Sequence, residues 1–149
     1  MRAVVQRVSR AAIRVGGESV GSLERGLLAL VGVGRGDGAA AAGELARRIV
    51  GLRVFEDEQG RMNRSLLEVG GALGVVSQFT LYGDARRGRR PSFAEAAAPA
   101  EAAALLDALV ACARELGARV VTGRFQAHME VELVNAGPVT ILLDTDKRF

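Results

Sequence analysis

Two short cassettes hold most of the groups in this chain that could do chemistry. They are Ser77-Gln78-Phe79-Thr80, at the end of an apolar run, and Asn135-Ala136-Gly137-Pro138-Val139-Thr140, inside another. The first brings two hydroxyls, a carboxamide and the backbone N–H groups of a turn, a set suited to holding a small polar ligand or a developing oxyanion. The second brings a Gly-Pro step. Proline removes a ladder donor, so this step must be an edge, a bulge or a special turn in a β pattern. The usual catalytic equipment is thin elsewhere. His128 is the only histidine, Cys112 the only cysteine, and no cluster has metal-ligand spacing, so neither metal nor cofactor is expected. Chemistry here would rest on backbone donors and hydroxyls.

Other candidates weigh less. A nucleophilic Thr80 needs an adjacent base, and none is visible; Ser77 and Thr80 could equally bond nearby backbone. His128 alternates with Glu130 and Glu132 on a polar face, which reads as solvated surface. Cys112 reads as small core filler on a helix. The run from Asp84 to Ser92 carries Arg86, Arg87, Arg89 and Arg90. It is either a solvated connection or a phosphate-contacting loop, and its place directly after the first cassette favours the second reading. Gly34-Arg35-Gly36-Asp37-Gly38-Ala39 fits G-x-G-x-x-A, with Glu56 at a suitable distance for a ribose contact. However, the chain has no room for two mononucleotide-binding halves.

The elements that must position these groups follow from hydrophobic patterning. Residues 2–9 and 11–15 read as strands, then a Gly16-Gly17 turn and a strand over 19–23. Residues 27–33 form a continuous apolar run, as a strand covered on both faces would. A helix is predicted over 39–52, with Leu45, Ile49 and Leu52 on one face. Residues 61–70 read as irregular and 72–80 as a second buried strand. Pro99 opens a helix to about 116, with Leu105, Leu109, Cys112 and Leu116 on a shared face. Residues 119–124 form a strand. From His128 to Val134, Met129, Val131 and Leu133 alternate with polar residues, and 139–143 make the last strand. The expected fold is α/β, one domain over 1–149. Mixed and antiparallel β-sheets form a layered β/β/α sandwich, and two main helices cover one face.

At 149 residues the chain can bury roughly 70% of its unfolded surface. Hydrophobic residues at 49% and charged residues at 25% place it among ordinary globular proteins. No apolar run has the roughly 20 residues of a membrane span, and the N-terminus does not read as a signal peptide. One cysteine fits a reducing compartment, so a cytoplasmic location is expected. The net charge of +3 permits an anionic partner. Almost all of the positive charge is arginine, Lys147 being the only lysine, so arginine at any one position is weak evidence for phosphate recognition.

Taken in order along the chain, these residues resemble the D-aminoacyl-tRNA deacylase family. The resemblance runs through Met1-Arg2-Ala3-Val4-Val5-Gln6-Arg7-Val8, Leu52 to Asp57, Met62 to Leu66, Ser77 to Leu81, Gly88 to Phe93, and Asn135 to Thr140. It implies a homodimeric hydrolase that cleaves the ester joining a D-amino acid, or mischarged glycine, to the terminal adenosine of tRNA, and that spares L-aminoacyl-tRNA. Ser77, Gln78, Phe79 and Thr80 would line the catalytic pocket, with the tRNA ribose 2′-hydroxyl in place of a side-chain base. Gly137-Pro138 would be a cis step reaching into the partner subunit's site, where its carbonyls would hold the substrate amine and exclude an L side chain. Met129, Asn135, Val139, Thr140 and Arg7 would complete the substrate-binding set, with Arg86, Arg87, Arg89 and Arg90 on the tRNA. Position 136 is Ala where an acidic residue is common, 83 is Gly where Ala is usual, and Gln126 replaces a frequent glycine. The other reading is a non-catalytic RNA-binding module using the arginine loop. Aromatics at 4% argue against base-stacking platforms.

Overall fold

The computed structural model describes residues 1–148. Its organising element is β1 (Arg2–Val15), which buries Ala3 and Val5 and then, past irregularities in its pairing with β8, Val8, Ala11 and Ile13. This single strand pairs with three others. On one side it meets β3 (Gly26–Gly32) through Arg2 to Val8 and β2 (Glu18–Leu23) through Ala11 to Val15. On the other it meets β8 (Glu130–Asp144), from Arg2↔Asp144 to Arg14↔Glu130. Beyond β3 the sheet continues in parallel through β6 (Ala72–Ser77) and β7 (Arg119–Thr122), in the order β2-β1-β3-β6-β7 with β8 on β1. A two-stranded hairpin, β4 (Phe55–Glu56) with β5 (Met62–Arg64), stands apart, its second strand inside the 61–70 stretch read as irregular.

Both parallel joins are helical crossovers, as parallel pairs require. The first is α1 (Ala39–Val50), where Ala42, Leu45, Ala46, Ile49 and Val50 are buried and Arg47 and Arg48 complement the last turn. The second is α2 (Pro99–Glu115), with Pro99 at its start, Glu101 in the first turn and Arg114 in the last. Its buried face is Leu106, Leu109, Val110 and Ala113; Leu105 and Cys112 are half-buried and Leu116 is 39% exposed. The stripe is therefore rotated from the expected one, sharing only Leu109. Alanine at 113 lets α1 and α2 approach, and Cys112 Sγ lies 3.9 Å from the Gly43 carbonyl.

Two cores result. The helices pack over Ala3, Val5, Leu27, Ala29, Val31, Leu73 and Val75 on one sheet face. On the other face, Val8, Ala11, Ile13, Leu23, Leu28, Ala72 and Val76 pack with Val20, Leu30, Val121, Met129, Val131 and Leu133. The sheet thus curls around a second interior, and the two β layers of the expected β/β/α sandwich are parts of one continuous sheet. A fully buried leucine such as Leu27 or Leu28 stabilises this arrangement by roughly 1.5–3 kcal/mol. No helix among the described residues is long and apolar enough to cross a membrane.

Candidate functional site

The first cassette forms where β6 stops. Ser77 is the strand's last residue, and the Gln78 N–H donates to the Val31 carbonyl at 2.8 Å, completing the pairing with β3. Phe79–Tyr82 then turns as a 3₁₀ helix, so Thr80 lies in a helical turn and not in the strand expected over 72–80. Such a turn leaves its first N–H groups without intrahelical acceptors. The Gln78 carboxamide donates to the Thr80 hydroxyl.

Ser77, Gln78 and Phe79 open on a cleft of about 680 Å³ that Met129, His128, Phe93 and Phe125 also line. Phe79 is 56% exposed and meets Phe93 edge-on, with ring centroids 5.0 Å apart. Phe93 is brought there by the 83–98 connection, which is strapped to the end of β3: the Arg35 N–H donates to the Glu95 carbonyl and the Ala97 N–H to the Val33 carbonyl. Three of the chain's five phenylalanines therefore gather in one cleft, and its low aromatic content is concentrated rather than scattered. Phe93 and Phe125 were missed as pocket residues; the signal available was their rarity.

Thr80 does not line the cleft, and its hydroxyl is already an acceptor. For the ester hydrolysis that the family resemblance implies, Thr80→Ala should therefore stay within about tenfold of the parent, whereas loss of a nucleophile costs on the order of 10⁴–10⁶. Single-turnover kinetics on an aminoacyl-tRNA would measure this. His128 is exposed, as its alternation predicts, yet it sits on the cleft's rim.

The second cassette is a bulge. Gln6 pairs with Thr140 and Val8 with Asn135, so the residues between Asn135 and Thr140 loop out opposite Arg7. The two strands expected here, over 128–134 and 139–143, are one strand interrupted by this bulge. Asn135 closes its base: Oδ1 accepts the Val139 N–H at 2.7 Å, and Nδ2 donates to the Val139 carbonyl and the Thr140 hydroxyl. Arg7, 11% exposed, is the post beneath it, donating to the Ala136 carbonyl at 2.7 Å and the Val54 carbonyl at 2.6 Å. The Gly137–Pro138 bond is cis, and both residues are exposed. None of Arg7, Asn135, Gly137, Pro138, Val139 or Thr140 lines the cleft. Within one chain, the two cassettes face different spaces.

The arginines divide too. Arg86 and Arg87 line a separate polar groove of about 790 Å³ beside Arg2, Tyr82 and Arg148, while Arg89 and Arg90 are exposed outside it. Arg86 is clamped by Asp84, Nε to Oδ1 at 2.8 Å and Nη2 to Oδ2 at 2.7 Å, and this fork holds the Asp84 carboxyl well below the usual range. Arg87, Arg89 and Arg90 make no ion pair among the described residues. Tyr82 is buried between Arg2, stacked 4.4 Å from its ring centroid, and Asp37. Burial, then the Asp37 charge, pushes its hydroxyl up and keeps it protonated.

Asp37 also explains the glycine-rich decoy. Its Oδ2 accepts the Gly34 N–H at 2.6 Å and its Oδ1 the Met1 amine at 2.7 Å. The loop is tied inward, and the antiparallel β1 beside β3 rules out a doubly wound nucleotide fold. No group of three His, Cys, Asp or Glu that could hold a metal exists among the described residues.

Known proteins share this arrangement. A family model described as D-Tyr-tRNA(Tyr) deacylase matches residues 4–144. A protein of Symbiobacterium thermophilum named D-aminoacyl-tRNA deacylase is 62% identical over 149 residues, covering 100% of this chain and 99% of the relative. One of the same name from Anaeromyxobacter dehalogenans is 59% identical with 100% of both covered. A solved structure titled c-Myc DNA Unwinding Element Binding Protein superposes with a TM-score of 0.92 at 36% identity, over 97% of this chain and 99% of that one. A probable eukaryotic D-amino acid tRNA deacylase shares the fold at a TM-score of 0.77 and 19% identity, over 95% and 97% of the two chains. With a curled sheet, a cassette-lined cleft and full-length kinship in agreement, this chain belongs to the D-Tyr-tRNA(Tyr) deacylase family.

Proposed function

We propose that this chain hydrolyses the ester between a D-amino acid, or glycine, and the terminal adenosine of tRNA, sparing L-aminoacyl-tRNA. The observation that carries the reading is that, in a chain of this family, Ser77-Gln78-Phe79 opens on an aromatic cleft wide enough for a nucleoside. An ester is already activated, so positioning and backbone donors suffice without a strong base. The leading N–H groups of the Phe79–Tyr82 turn receive the charge on the carbonyl oxygen, and the substrate's 2′-hydroxyl handles the proton. Arg87, Arg89 and Arg90 supply unpaired charge for RNA phosphates; Arg86, clamped by Asp84, contributes less.

The working unit is a homodimer in the cytosol. Two features support the dimer. Gly137-Pro138 projects into solvent away from its own cleft. Leu142, 56% exposed, stands in register with Val4 and Leu30 across β8, β1 and β3, an apolar row on the face away from the helices. Gly137-Pro138 of the partner subunit would then form the opposite wall, rejecting the wrong enantiomer by collision.

Incubation with D-Tyr-tRNA and L-Tyr-tRNA tests the reaction. The D-ester should be cleaved on the order of 10²-fold faster or more. Equal inertness towards both, with tight tRNA binding, would instead establish a binding module.

A further inference from the structure

We infer that Gln126 reads the edge of the substrate's terminal base and makes this chain selective for adenine there; the inference rests on the deacylase reading above. Gln126 lies in the loop joining β7 to β8, between Phe125 and Ala127, and lines the same cleft as Phe79, Phe93 and Met129. Its φ is 59°, the left-handed region that L side chains rarely adopt. Among the described residues this chain places glycine at eight such positions and another residue at only two, Gln126 and Lys147. A side chain thus stands where glycine would sit more easily.

Nothing within the fold repays that choice. Gln126 is exposed, and its side chain makes no hydrogen bond among the described residues. The cleft's other carboxamide, Gln78, is already committed to Thr80. Strain without a structural return points to a ligand. The cleft supplies three phenylalanine rings and a thioether, surfaces on which a flat heterocycle packs. At their margin, Gln126 offers one acceptor and one donor side by side. That pair matches the adenine N6 amino group and N7, the carboxamide oxygen accepting and its NH₂ donating. Guanine presents two acceptors on that edge, so one of the two contacts would be lost.

The test uses D-Tyr-tRNA ending in adenosine and the same tRNA ending in 7-deazaadenosine, which lacks the N7 acceptor. The parent should lose about 5- to 100-fold in kcat/KM on the analogue. Gln126→Gly should lose a similar factor on the adenosine substrate, mainly through KM, and should no longer distinguish the two tRNAs. It should melt at or above the parent's temperature, since glycine suits this φ. A parent indifferent to the analogue, or a Gln126→Gly variant that keeps full discrimination, overturns the role of Gln126 while leaving the deacylase intact. A parent that cleaves neither tRNA overturns the deacylase reading itself.

Discussion

Gly137→Ala should lower kcat/KM on a D-aminoacyl-tRNA by on the order of 10²-fold while the protein stays folded. At φ 148° an alanine Cβ would lie 2.7 Å from Val139 Cγ2, 2.9 Å from the Val139 nitrogen and 3.0 Å from Arg7 Nη2. Not all of these atoms can yield. The Val139 nitrogen is held by Asn135, and Arg7 is fixed through two carbonyls. Relief requires the bulge to lift from β1, carrying Pro138 with it and loosening the bond from Arg7 to the Ala136 carbonyl. The loss of stability should be about 1–3 kcal/mol, read by thermal melting. A folded variant with parental kcat/KM and parental D/L preference would remove the second cassette from the site.

Two inactive variants should restore each other. Gly137→Ala spoils the second cassette, and Phe79→Ala strips the ring that the first contributes to the cleft. If each site takes one cassette from each subunit, a mixed dimer contains one intact site and one doubly damaged site. Random pairing makes half the dimers mixed, so co-expressed chains should recover about a quarter of parental activity. If each chain holds a complete site, the mixture stays as inactive as its components. Light scattering should show a particle of twice the 15.6 kDa chain.

What the amino-acid pattern revealed depended on how local the cause was. The β8 alternation was legible because Met129, Val131 and Leu133 face the second core while Glu130 and Glu132 face water. The start of α2 was legible because Pro99 marks it. The buried face of α2 was not, because in an alanine-rich helix the neighbours decide which residues are covered. Ala113 is buried by the approach of α1, and Leu116 is left outside as the helix ends. β1 read as two strands because Ser9 and Arg10 are exposed at its middle, yet the backbone continues from β3 to β2 without a break. Both cassettes were visible as interruptions of apolar runs. That they face different spaces was not, since it follows from a bulge in β8 and the end of β6, set apart by the curl of the sheet. Nor was the brace that Arg7 gives the bulge, since its acceptors lie 47 and 129 residues away along the chain.

The pairing of β1 with β8 also bears on synthesis. Arg2 is matched to Asp144, and Arg7 finds the Ala136 carbonyl only once nearly the whole chain exists. A growing polypeptide on the ribosome can assemble β1, β2 and β3 early, but its first strand keeps one edge open until β8 emerges. Closing so long a span makes folding slow in proportion to its topology. A growing chain therefore lacks an ordered second cassette until residues 135–140 have emerged to pair with β1. A protein that cuts amino acids from tRNA thus gains its second cassette only after β8 has paired with β1.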